Sequence, residues 1–255
     1  MKSYIELALL AGVLALTSTA VRAEEPSPRV PSWEVEAGVL QTENMEIRGY
    51  QEKNATDGWD KTIPTGRLEY WLRREDAWNY GVVLQPIYAS YSGTIQNDLN
   101  AKGQFFQAGD KGTLDYQFHS LRVSANYPVL TSKEGNYLRL GGSLVARYFN
   151  AKLKTGTASI DDTNFIVVPL INVESDVVLT SRHSLFFRAD FLPGIDGSVF
   201  LDGLYDVLLA FRTPLERSRN VDFGVRLFFG GYDPNKVDDY ANRIFFAGVV
   251  GRYTF

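Results

Sequence analysis

The sequence has no cysteine, only two histidines and two methionines, and, beyond its first residues, no apolar run long enough to cross a bilayer as a helix. Each absence removes a class of protein. Without cysteine there is no disulfide frame, no thiolate metal site and no lipoprotein acceptor. His119 and His183 are too far apart in sequence to have metal-ligand spacing. A formal net charge of −4, from 26 Lys+Arg against 30 Asp+Glu, does not suit a nucleic-acid binder. No stretch reads as a long amphipathic helix, and nothing implies a cofactor.

What the chain has instead is aromatic residues, 14 Tyr and 16 Phe, and alternation. In "LRVSANYPV", Leu121, Val123, Ala125 and Tyr127 oppose Arg122, Ser124 and Asn126. In "SLFFRADF", Leu185, Phe187, Ala189 and Phe191 oppose Ser184, Arg188 and Asp190. A period of two puts such sets on opposite faces of a strand. Ten segments carry it, at 33–42, 65–74, 77–91, 114–128, 137–150, 163–178, 183–192, 200–212, 219–230 and 242–255. The long polar stretches 43–64, 92–113 and 151–162 follow the first, third and fifth segments, while turns such as "TSKEGN" and "PLERSRN" follow even-numbered ones. Long and short connectors in alternation predict a closed, antiparallel, up-and-down transmembrane β-barrel of ten strands, with eight and twelve as the neighbouring even counts. The start, "MKSYIELALLAGVLALTSTAVRA", has a lysine, an apolar core and a small-x-small end, and reads as a signal peptide over 1–23. One barrel domain is expected over 24–255.

Alternation alone does not say which face looks outward, since a soluble barrel alternates with its apolar side inward. Charge placement decides in favour of lipid. Glu34, Glu36, Arg67, Glu69, Arg73, Arg122, Arg139, Arg147, Arg188, Asp190, Asp202, Asp206, Asp222, Arg226 and Arg252 all fall on one face, and its cations are all arginine. Arginine makes fork-like paired contacts in confined space, whereas a soluble outer face would favour lysine. Depth matching around an up-down barrel sets Arg226 level with Asp206 and Asp222 with Arg252, and brings Glu34 and Glu36 to Arg252 across the closing seam. On the other face, Trp33, Trp78, Tyr127, Phe211 and Phe255 would ring the short-turn rim, and Tyr88, Tyr148 and Phe191 the long-loop rim, as interfacial girdles do.

The final segment, "FAGVVGRYTF", places Phe245, Ala247, Val249, Gly251, Tyr253 and Phe255 on one face. It resembles the last strand of bacterial outer-membrane β-barrel proteins. That resemblance implies that Tyr253 and Phe255 form an assembly signal read by the barrel-insertion machinery, and that the last strand pairs with the first. It also implies residence in the outer membrane of a Gram-negative bacterium, contact with lipid and lipopolysaccharide, and a monomer.

Chemistry has few candidates. His119 and Ser120 are neighbours on a strand and point to opposite faces, so they cannot share a proton. His119 reads as an amphipathic ring at the outer rim, and His183, in "TSRHS", as a solvated turn residue. The Asp-x-His of omptin-like proteases and the His-x-Ser of barrel deacylases are both absent. The expected role is therefore a non-enzymatic surface or binding barrel. A narrow, porin-like channel lined by the interior charges is the second reading, and a surface hydrolase the third.

Overall fold

A computed structural model describes residues 29–48, 54–194, 203–215, 219–232 and 241–255. The expected signal peptide, 1–23, and Asp202 lie outside the described residues. Twelve strands are present: β1 Val30–Arg48, β2 Lys61–Arg73, β3 Asn79–Thr94, β4 Leu99–Ala101, β5 Gln104–Phe106, β6 Lys111–Thr131, β7 Tyr137–Lys154, β8 Ser159–Thr180, β9 His183–Leu192, β10 Leu204–Pro214, β11 Asn220–Tyr232 and β12 Ala241–Thr254. Ten of them close an antiparallel barrel in the order β1-β12-β11-β10-β9-β8-β7-β6-β3-β2. The seam joins β1 to β12, from Glu34 opposite Thr254 up to Arg48 opposite Ala241. Below it, Trp33 and Phe255 exchange both backbone hydrogen bonds, at 2.8 and 2.9 Å.

The strands are longer than the alternation suggested. Crossing a bilayer takes a tilted strand of about ten residues, yet β8 has 22 residues and β6 has 21. Much of 43–64, 92–113 and 151–162, read as polar connectors, is strand standing above the belt. The segment 92–113 also contains the β4–β5 hairpin, turned by Lys102 and Gly103, both at positive φ (48° and 72°), which suits a two-residue hairpin turn. His183 is likewise not a turn residue; β9 begins on it.

On β3, β6, β7 and β8 the parity holds from the belt upward, whereas β1 shifts register between Glu43 and Glu46; the chemistry of both faces nevertheless changes. On the outer face, Leu121, Val123, Leu140, Leu144, Val167 and Ile171 are exposed. They form a belt suited only to hydrocarbon. It ends at one cross-strand row, Pro86–His119–Tyr148–Phe165. The next outward rows read Tyr88–Gln117–Asn150–Thr163 and then Ser90–Asp115–Lys152–Asp161. The inner face switches at the same level and in the opposite sense. Below it sit buried arginines and carboxylates; above it sit Ile87, Leu114, Phe118, Phe149, Leu153, Phe228 and Phe246, all buried. The apolar-outward assignment is therefore corrected for the upper part, where the faces are those of a water-soluble protein. The cause is a change of outer solvent from lipid to water, with a dry apolar interior affordable only where the outside can be polar.

The upper part is also no longer a barrel. The β2–β3 ladder stops at Leu68 opposite Leu84, with Pro64 and Pro86 lying above it on the two strands, and the β8–β9 ladder stops at Ile171 opposite Phe191. Proline cannot donate to a ladder and belongs at an unpaired edge. Above these two partings, β3-β6-β7-β8 forms one sheet and strands from β2-β1-β12-β11 another. Their inner faces share one apolar cluster, closed over by Ala55, Trp59, Ile95, Leu99 and Phe106 from the connectors. The Trp59 indole donates to the Thr94 carbonyl at 2.9 Å, tying the first connector to β3.

A pair of substitutions on one strand separates the two solvents. Val123, 50% exposed at mid-belt, and Gln117, six residues along, share the outer face of β6. Val123→Arg is expected to cost about 2–4 kcal/mol of folding free energy in bilayers. Gln117→Arg is expected to stay within about 0.5 kcal/mol, as ordinary surface changes do. Urea titration in lipid vesicles measures both, and equal costs would refute the boundary.

Candidate functional site

The interior below the boundary is a continuous ion network. Its centre is Arg188 on β9, flanked by the aromatic faces of Trp71 and Phe186 at 4.9 and 5.1 Å. Its Nε donates to Glu174 at 2.9 Å and its Nη1 to Glu69 at 2.5 Å, and Nη1 and Nη2 lie 3.3 Å from Glu34. Glu174 also accepts from Arg73 and Arg139, each at 2.8 Å. Glu69 accepts from Arg67 at 2.8 Å and from the Trp71 indole at 2.8 Å. One ring carbon surface serves several cations: Arg212 and Arg252 stack on Phe186 at 3.9 and 4.3 Å. Burial makes pairing obligatory here, since a lone interior charge costs several kcal/mol.

Residues singled out from sequence occupy this interior as follows. Arg226 pairs with Asp206 and grips Glu36 bidentately, at 2.7 and 2.6 Å. Asp222 pairs with Arg252, and Arg252 reaches Glu34 at 3.0 Å. Glu36 does not go to Arg252, although the two are opposite each other in register. Arg226, two strands away on β11, reaches past β12 at Gly248 and takes both Glu36 oxygens. Arg122 binds Asp190 and Asp206, while Asp190 also accepts from Ser143 at 2.5 Å and Asn172 at 2.9 Å. Arg147 stands apart, against the edge-to-face pair Phe118 and Phe228, with no ion pair among the described residues.

Glu174, Asp176 and Arg212 are part of the network but were not recognised from sequence. Arg212 binds Asp176 at 2.6 Å and Asp222 at 2.8 Å. On β8 the inward series runs Ile166, Val168 and Leu170 just above Asn172, Glu174 and Asp176, so the charged stretch follows directly on an apolar one. The recoverable signal was the strict alternation Val173, Ser175, Val177 against Glu174 and Asp176.

The outer aromatics form two levels. Low on the wall, Trp33 packs on Tyr70 (4.8 Å), Trp78 on Tyr127 (5.6 Å), Phe211 on His183 (4.8 Å) and Tyr253 on Phe255 (5.7 Å). Higher up, Tyr148 stacks on His119 at 6.1 Å, Tyr88 is exposed, and Phe191, Tyr205, Phe229 and Phe245 stack side by side at 6.5, 6.1 and 6.4 Å. Two aromatic levels bounding an exposed apolar wall, around a sheet closed on itself, match a membrane-spanning barrel and no soluble one.

This is the fold of a bacterial outer-membrane β-barrel. Among solved structures, the outer-membrane protease OmpT of Escherichia coli superposes with a TM-score of 0.54 at 12% identity, over 93% of this chain and 100% of that one. The transport unit of the autotransporter AIDA-I of Escherichia coli gives 0.46 at 9% identity, with 96% of each chain covered. Ail, the attachment invasion locus protein of Yersinia pestis, gives 0.34 at 14% identity, over 88% of this chain and 98% of that one. No family model and no curated protein matches the sequence. The OmpT likeness, at that identity, carries the backbone and no chemistry.

In this barrel both histidines sit on the outer wall. His119 stacks on Tyr148, and His183 places Nδ1 3.3 Å from the Thr213 hydroxyl. Neither ring meets a carboxylate among the described residues, and those residues hold no group of three or more His, Cys, Asp or Glu side chains able to bind a metal. Above the belt, burial pushes the Tyr91 phenol up to about 12.

Proposed function

We propose that this chain is a non-enzymatic barrel resident in the bacterial outer membrane, monomeric, whose working part is the water-exposed sandwich and its connectors. The observation that carries this reading is that the interior is obstructed twice, by the ion network and then by the apolar sandwich. A conducting pore needs a wet path, and neither zone offers one among the described residues. Hydrolysis needs an activated nucleophile, and both histidines are spent on the outer aromatic levels. The polar rows above His119 and Tyr148 alternate hydroxyl, amide, Lys and Asp side chains, which suits the sugar-rich outer leaflet, lipopolysaccharide included. Tyr253 and Phe255, at the closing seam, are assigned the assembly-signal role.

Reconstitution of the full chain in planar bilayers tests the reading. A silent membrane across the usual voltage range is expected. Steady single-channel steps, lowered or raised by Arg122→Ala, would move the assignment to a channel.

A further inference from the structure

We propose that Arg147 anchors a binding site for a small carboxylate-type monoanion at the floor of the extracellular sandwich. Every other described arginine that faces the interior forms an ion pair with a carboxylate, Arg226 and Arg252 included. Arg147 forms none, although it is only 6% exposed, and its Nε has no hydrogen-bond partner. Guanidinium does not lose its proton in proteins, so this cation cannot escape burial by neutralising. The phenyl faces of Phe118 and Phe228, 4.5 and 4.9 Å from its central carbon, offer cation–π attraction but no counter-charge. The two rings meet edge to face, 5.1 Å apart, and neither supplies an oxygen acceptor for the N–H groups, which a carboxylate accepts with two parallel hydrogen bonds.

The surroundings carry further unspent polar groups. Gln85, Ser120 and Arg147 are directly opposite one another on β3, β6 and β7 and all face inward, which puts neighbouring Cβ atoms about 5 Å apart. Gln85 is 2% exposed, yet neither its Nε2 nor its Oε1 has a partner. A buried amide left open at both ends marks a place for a guest. On the opposite wall, β11 presents Gly230 near Arg147, with the Leu204 side chain packed into the space a Cβ there would take. The row lies at the level where charged interior gives way to apolar core, so an occupant would be shielded from competing water.

The test uses the full chain refolded in detergent. Its heat-modifiable unfolding midpoint is followed in sodium formate against sodium fluoride at equal ionic strength. The midpoint should rise with formate, with a dependence fitting about one anion per folded protein, and Arg147→Met should fold and show no formate response. A flat response in the parent protein, or a response retained in Arg147→Met, would overturn the site. If Arg147→Met does not fold, crystals of the parent grown in bromide decide. An anomalous peak on the Arg147 N–H edge supports the proposal. No peak, or peaks confined to the outer wall (an adventitious ion only), ends it.

Discussion

Arg188→Met should lower the unfolding free energy of the barrel by about 3–5 kcal/mol, the cost of breaking a buried pair by removing one partner. The arrangement around it decides why the loss is not three times larger. Arg188 touches three carboxylates, but each keeps another cation: Glu69 has Arg67, Glu34 has Arg73 and Arg252, and Glu174 has Arg73 and Arg139. Methionine also retains the packing against Trp71 and Phe186, so the deficit reports charge rather than a cavity. Glu69 should bear most of the loss, because its remaining partner Arg67 is shared with Asp206 at 2.7 Å. Adding Glu69→Gln to Arg188→Met should therefore recover part of the loss, with a coupling of about 0.5–3 kcal/mol as expected of contacting residues. Urea titrations of the two single variants and the double variant in lipid vesicles measure it. An Arg188→Met protein as stable as the parent would show that the network only fills space.

Phe246→Ala should cost a similar amount, about 3–5 kcal/mol, and be felt in a different place. Phe246 is fully buried in the upper cluster, packed on Phe228 at 6.0 Å, and Phe228 in turn meets Phe118 of the opposite sheet at 5.1 Å. Those rings join two sheets that share no ladder above the partings. Truncation removes area that holds the sandwich shut, while the ion network and the closed lower wall remain intact. The expected result is local opening, raised roughly 100-fold or more at about 1.4 kcal/mol per decade. Limited proteolysis at the β4–β5 hairpin should speed up, with the folded band on unheated gels preserved. Loss of that band would mean that the two zones unfold as one unit, contrary to this account.

Both expectations depend on a division that one sequence expressed unevenly. The closed ten-stranded barrel was legible because alternation at period two, connector lengths and the all-arginine face are local signals. The pairs Arg226–Asp206 and Asp222–Arg252 could be read because neighbouring strands in an up-down barrel differ in depth by a countable number of residues. Glu36 could not be paired this way. Its partner Arg226 lies two strands away and reaches it past β12, a next-but-one pairing set by barrel closure rather than by sequence order. Glu174 was hidden for a related reason: apolar residues higher on β8 share its face, and only the structure shows that they stand in a different layer.

By itself the sequence determined the period, the polarity of each face through the belt and hence the membrane-type barrel, because pleated-strand alternation is an intrinsic property of the chain. Only the tertiary structure decided where the wall leaves lipid, that the sheet parts there at Leu68–Leu84 and Ile171–Phe191 into a sandwich, and which interior arginine among the described residues is left without a carboxylate. These depend on how far each ladder runs before its neighbour ends. That is settled by shear and packing among residues distant in sequence, which no local pattern encodes.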